Sequence, residues 1–192
     1  MALALMRSWK ATGVSRYQDS ARRAVRYERS IFLPAFDNWP DFRQPESRAT
    51  DQNPPLASWC NGGPGIGLAR LGCLACGEDE MLREDIETAS RWLQSNAPGP
   101  LDHVCCGELG KLELLMEGGR RLLRPAWVDA GRLRAGAVIT RADTKSRGFY
   151  STIGSTRSLF MPGFFNGLSG IAYQMLRLAD TSGRLPSVLL WD

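Results

Sequence analysis

The chain has 192 residues, 43% hydrophobic and 23% charged, which is ordinary for a globular protein and enough for one domain with a real core. Its formal charge of +4 comes from 24 Lys+Arg against 20 Asp+Glu, and the basic residues are scattered without a concentrated patch or interleaved aromatics, so a nucleic-acid binder is excluded from the expected classes. The opening MALALMRSWK has no cleavage site and nowhere do about 18 apolar residues run together, so neither a signal peptide nor a transmembrane helix is expected.

Residues 1–12 read as a helix, with Leu3, Leu5, Met6 and Trp9 apolar and Gly13 as its stop. Nothing caps its start, a hint that the chain begins within a helix. A second helix is expected over Ser15–Phe32, with Ala21, Ala24, Val25 and Ile31 near one face. Pro34–Pro55 is rich in Pro, Asp, Asn and Ser and reads as a long loop that Trp39 pins to the body. Three segments then share a Gly-x-x-Gly followed by an apolar helical run: Gly62–Gly65, Gly107–Gly110 and Gly167–Gly170, spaced by 45 and 60 residues. Amphipathic helices over Glu80–Gln94 and Lys111–Leu123 lie between them, with loops at Pro98-Gly99-Pro100 and from Arg141 to Pro162. Such recurrence is the mark of helical repeats, each too small to bury its own apolar face. Ala137–Thr140 and Ser187–Leu190 could be short strands or helix ends. The expected fold is all-α, with helical hairpins arranged around a centre.

Five cysteines, an odd number, in a chain without an export signal point to the cytoplasm, where clustered cysteines serve more often as metal ligands or reactive groups than as disulfides. Cys60 stands just before the first glycine pair, and Cys105 and Cys106 just before the second. If the repeats superimpose, all three thiols emerge at the starts of successive inward helices. Zinc takes thiolate sulfur readily, and three protein ligands leave a fourth position for water or substrate. Backbone N–H groups at those helix starts would help hold the thiolates. Cys73 and Cys76 form a competing Cys-x-x-Cys, which could join Cys105 and Cys106 in a four-sulfur site. They also continue the apolar pattern of Ile66, Leu68, Leu71 and Leu74, and core packing is the preferred reading, with a metal or redox use the alternative. His103, the single histidine of the chain, lies two residues before Cys105 and is a candidate proton carrier, against the plainer reading of an exposed loop residue.

The runs Trp59-Cys60-Asn61-Gly62-Gly63-Pro64-Gly65-Ile66-Gly67, Cys105-Cys106-Gly107-Glu108-Leu109-Gly110 and Pro162-Gly163-Phe164-Phe165-Asn166-Gly167-Leu168-Ser169-Gly170 resemble the lanthionine synthetase C-like family, most closely the C-terminal cyclase domain of class II lanthipeptide synthetases. Asn38-Trp39-Pro40-Asp41 and the ending Leu185-Pro186-Ser187-Val188-Leu189-Leu190 fit the same domain. The resemblance implies an α/α toroid with zinc at its centre, held by the cysteine of the Trp-Cys motif and by a Cys-His pair before a glycine. Cys60 and Cys105 match the two cysteines. Cys106 falls where the histidine usually stands, as in a Cys-Cys-Gly subset of class II enzymes. The implied substrate is a ribosomally made precursor peptide carrying Cys and dehydrated Ser/Thr. The implied reaction adds the Cys sulfur to dehydroalanine or dehydrobutyrine, forming a lanthionine or methyllanthionine ring.

Family cyclases also carry an earlier His-Gly motif and an earlier acidic residue. Residues 1–192 are therefore expected to be a partial cyclase domain and an incomplete toroid, without the dehydratase domain, to be complemented by another dehydratase or cyclase chain or by further upstream sequence. The alternative to a cyclase fragment is a non-catalytic zinc- or peptide-binding remnant. A glycan-processing toroid would need two carboxylates facing a cleft, and the acidic residues are scattered.

Overall fold

The structure, a computed structural model, describes residues 1–43, 54–144, 148–151 and 161–191. Among the described residues it is all-helical: α1 (Ala2–Thr12), α2 (Ser15–Ser30), a 3₁₀ turn (Pro34–Phe36), α3 (Gly63–Leu74), α4 (Glu80–Ser95), α5 (Glu108–Arg121), α6 (Pro125–Thr144) and α7 (Leu168–Ala179). None of these helices is long and apolar enough to cross a membrane. Extended pairing among the described residues is limited to one bridge, Leu33 with Asn38.

Gly13 ends α1 in the left-handed region (φ 70°), its amide donating to the Trp9 carbonyl at 2.7 Å. The chain then reverses into α2, whose buried Ala21 and Val25 join Leu3 and Met6 of α1 in the core. Each of α1/α2, α3/α4 and α5/α6 is a hairpin, and α1, α3 and α5 stand side by side. Beyond α5, α7 is fixed by Gln174, whose Nε2 donates to the Leu109 carbonyl at 2.9 Å and to Glu113 at 2.8 Å. Inner helices α1, α3, α5 and α7 backed by outer helices α2, α4 and α6 form the α/α hairpin arrangement of a toroid.

The predicted elements differ from this in their bounds and in one omission. The second helix stops at Ser30 rather than Phe32, and α5 starts at Glu108 rather than Lys111. Residues 125–144, of which the sequence marks only Ala137–Thr140 as a short strand or helix end, are a single 20-residue helix. The loop expected from Arg141 thus begins only after Thr144. Its residues 145–147 and 152–160 lie outside the described residues, as do residues 44–53 of the Pro34–Pro55 loop. Ser187–Leu190 is a turn rather than a strand.

Buried charge locks the hairpins together. Glu108 of α5 accepts from Arg134 of α6 at 2.6 Å, and Arg134 also donates to the Leu93 and Asn96 carbonyls at the end of α4. Arg177 of α7 pairs with Glu113 and Glu117 of α5, and the Ser187 hydroxyl adds to Glu113. Residues 185–190 then run as a strap across the inner helices. Trp59 Nε1 donates to the Leu189 carbonyl at 3.3 Å, and the fully buried Leu190 sits with Leu3 against Gly72 of α3. Trp39 pins its loop as expected: it is buried, donates to the Glu28 carbonyl at 3.0 Å and meets Phe32 edge-on.

Candidate metal centre

The three Gly-x-x-Gly segments share one backbone geometry, which explains their sequence. In each, the carbonyl three residues before the first glycine presses on the second glycine. A Cβ on Gly65 would lie 1.9 Å from the Trp59 oxygen, one on Gly110 1.8 Å from that of Val104, and one on Gly170 1.8 Å from that of Phe164. Real side chains cannot occupy such a space, so the second glycine is dictated by close approach. The residues two before the first glycine (Cys60, Cys105 and Phe165) are then brought into one backbone relay. The Cys60 amide donates to the Cys105 carbonyl at 3.3 Å, and the Cys105 amide to the Phe165 carbonyl at 2.9 Å.

This relay gathers the thiols expected to converge. The Sγ atoms of Cys60, Cys105 and Cys106 all lie within 4.8 Å of one another, with Cys60 to Cys106 at 3.2 Å and Cys106 to Cys105 at 3.6 Å. A tetrahedral zinc with sulfur bonds of about 2.3 Å has sulfur–sulfur edges of about 3.8 Å, so three soft donors at these separations fit such an ion. Cys60 is exposed and the other two are half-buried, which leaves one side of the cluster open.

The thiols are electrostatically unequal. Partial desolvation of its sulfur opposes the Cys60 thiolate, but hydrogen bonds from Ser58, Cys106 and Cys105 and the nearby Arg43 charge outweigh it, and its pKa falls below the ordinary thiol value. Burial and the neighbouring sulfurs push Cys105 well above that value, and burial with Cys60 raises Cys106. One thiolate is therefore favoured first. The helix-start amides expected to support it are engaged elsewhere: Gly63 N–H donates to Asn38 Oδ1 at 2.7 Å, and Cys106 N–H to His103 Nδ1 at 3.3 Å. Support comes instead from Ser58, whose Oγ is 3.4 Å from Cys60 Sγ, and from Arg43. Arg43 is held by the buried Asp41 through Nε at 2.8 Å and a second nitrogen at 2.6 Å. Sequence reasoning singled out neither Ser58 nor Arg43. The signal available was their company: Ser58 precedes the Trp-Cys pair, and Arg43 follows the Asn-Trp-Pro-Asp run.

His103 is buried, not exposed. Burial pushes its imidazole below the ordinary histidine pKa, against smaller upward pulls from the Phe165 backbone and from Asp102. Asp102, fully buried, accepts from Arg141 and from the Tyr150 amide, and so fixes the loop that presents Cys105 and Cys106. Cys73 and Cys76 are not part of the cluster. Cys73 is completely buried in the core, where burial pushes its thiol up to about 11, and Cys76 packs against the same core half-exposed.

The sequence model of the family described as lanthionine synthetase C-like protein matches residues 1–190. No curated protein matches the chain.

Proposed function

The chain belongs to the lanthionine synthetase C-like family, and from that premise we propose that it is the zinc-bearing part of a lanthipeptide cyclase of the class II, Cys-Cys-Gly kind. The observation that carries the reading is the convergence of three thiols from two separate helix starts, with one side open. Cys60, Cys105 and Cys106 would hold the ion. Bound there, zinc would keep the cysteine of a precursor peptide as thiolate at neutral pH. The peptide sulfur then bonds to the β-carbon of a dehydroalanine or dehydrobutyrine, and the α-carbon takes up one proton, closing the thioether ring.

Within this reading Ser58 and the Asp41-held Arg43 stabilise negative charge on the thiolate side. His103 was the candidate proton carrier. Its burial and the use of Nδ1 as acceptor for the Cys106 amide favour a different role, that of holding the Cys105-Cys106 turn in place. The acid that protonates the α-carbon is then proposed to come from the family's His-Gly segment, on a complementing chain or on further sequence of the same polypeptide.

Two measurements test this. Zinc content by atomic emission is expected to be one ion per chain in the wild type and to fall sharply in Cys60→Ala, Cys105→Ala and Cys106→Ala. Retention by all three variants sinks the assignment. A cobalt-substituted protein titrated with a cysteine-containing peptide should gain sulfur-to-cobalt charge-transfer absorption, as an open fourth position requires. An unchanged spectrum would favour a non-catalytic, structural ion.

A further inference from the structure

We propose that the stacked rings of Trp59 and Phe165 form a side-chain subsite beside the thiols, which receives an apolar, preferably aromatic, residue flanking the peptide cysteine. The inference rests on the peptide-thiol reading given above. In the third repeat Phe165 takes the register that Cys60 and Cys105 hold in the first two, so the relay that aligns the thiols also places this phenylalanine at the same rim. Its carbonyl accepts from the Cys105 amide at 2.9 Å, and its ring lies on Trp59, the residue before Cys60, with centroids 5.3 Å apart and planes at 11°. One flat stack therefore bridges the two loops that carry the ligands.

The stack is rigid and still open. Trp59 is tied from behind by its Nε1 bond to Leu189, and Phe164 braces Phe165 edge-on at 5.4 Å. Phe165 nonetheless remains 43% exposed. A surface whose side chains are already held in place loses little conformational freedom when a ligand settles on it. Successive peptide residues are about 3.8 Å apart at Cα. A peptide whose sulfur reaches the cluster must therefore lay its neighbouring residues over the loops that carry the thiols. Stacking and apolar burial reward a flat side chain there and do nothing for glycine.

The test uses the zinc-loaded full chain and two seven-residue peptides that differ only in the residues flanking one cysteine, phenylalanine in one and glycine in the other. By isothermal titration the phenylalanine peptide should bind the wild type about tenfold more tightly. Phe165→Ala should remove that preference, so that the two peptides bind the zinc-loaded variant with equal affinity. Phe165→Leu, which keeps most of the apolar volume, should reduce the preference to about threefold. Equal affinities in the wild type, or a full preference in Phe165→Ala, overturn the subsite. If Phe165→Ala does not fold, an undiminished preference in Phe165→Leu overturns it. Binding of neither peptide to a zinc-loaded protein strikes instead at the peptide-thiol reading, and the subsite falls with it.

Discussion

The two ends of α3 both carry cysteines, and they use them in opposite ways. At its start, Cys60 is exposed, meets Cys105 and Cys106 from another repeat, and has a thiol pKa below the ordinary value. At its far end, Cys73 is wholly buried with its pKa pushed up to about 11, and Cys76 packs on the same core. By spacing alone the Cys-x-x-Cys end looks like the metal motif, while the converging thiols come from segments 46 residues apart. Local spacing places thiols on one helix. What makes a cluster is the shared register of helix starts, which delivers donors from different repeats to one point.

The contrast can be broken by exchanging losses between the two ends. Cys60→Ala should lower zinc affinity by more than about 100-fold, measured by competition with a chromophoric chelator, because a first ligand is lost. The pH dependence follows from the unequal thiols. Cys105 and Cys106 are raised above the ordinary value and are protonated at neutral pH, so binding by three thiolates expels at least these two protons per ion. Zinc affinity should therefore climb as pH rises through the neutral range and fall on acidification, and a pH-independent affinity would contradict the ligand set.

His103→Ala should weaken zinc binding by about 10- to 100-fold with all three ligands intact, as removal of an outer support does. Under the competing role it would leave zinc affinity unchanged and alter only the pH profile of ring closure. At the other end of α3, Cys73→Ala should leave zinc content at the wild-type level and cost about 1 kcal/mol of stability, read from chemical denaturation.

Much of this was legible in the sequence because the repeats obey a steric rule. Gly65, Gly110 and Gly170 are required by a carbonyl pressed onto each, and the cysteines stand at fixed offsets from them. The all-helical hairpins and the convergence of Cys60, Cys105 and Cys106 followed from that register. Helix α6 was hidden because its periodicity is disguised. Its buried stripe joins Trp127 and Val138 to Gly131, Ala135, Ala142 and the charged Arg134, while Leu133 and Ile139 point outward. Arg134 is buried because Glu108 on α5 and the Leu93 and Asn96 carbonyls meet it, partners that no local pattern reveals. Likewise, the supports of the thiol cluster lie in loops whose meaning depends on where they land. Asn38 capping Gly63, Asp41 holding Arg43, and Asp102 clamping Tyr150 are tertiary contacts, and charge or polarity along the chain does not announce them.

The strap of residues 185–190 has a consequence for how the protein is made. Trp59 finds its partner at Leu189, 130 residues later, and Leu190 completes the packing of Gly72 against Leu3. On the ribosome α1 and α3 therefore emerge long before the residues that seal them. Contacts of such long sequence separation form late and slowly. The early hairpins must wait with apolar faces open, so the stage at greatest risk of aggregation is the nascent chain shortly before its strap is synthesised.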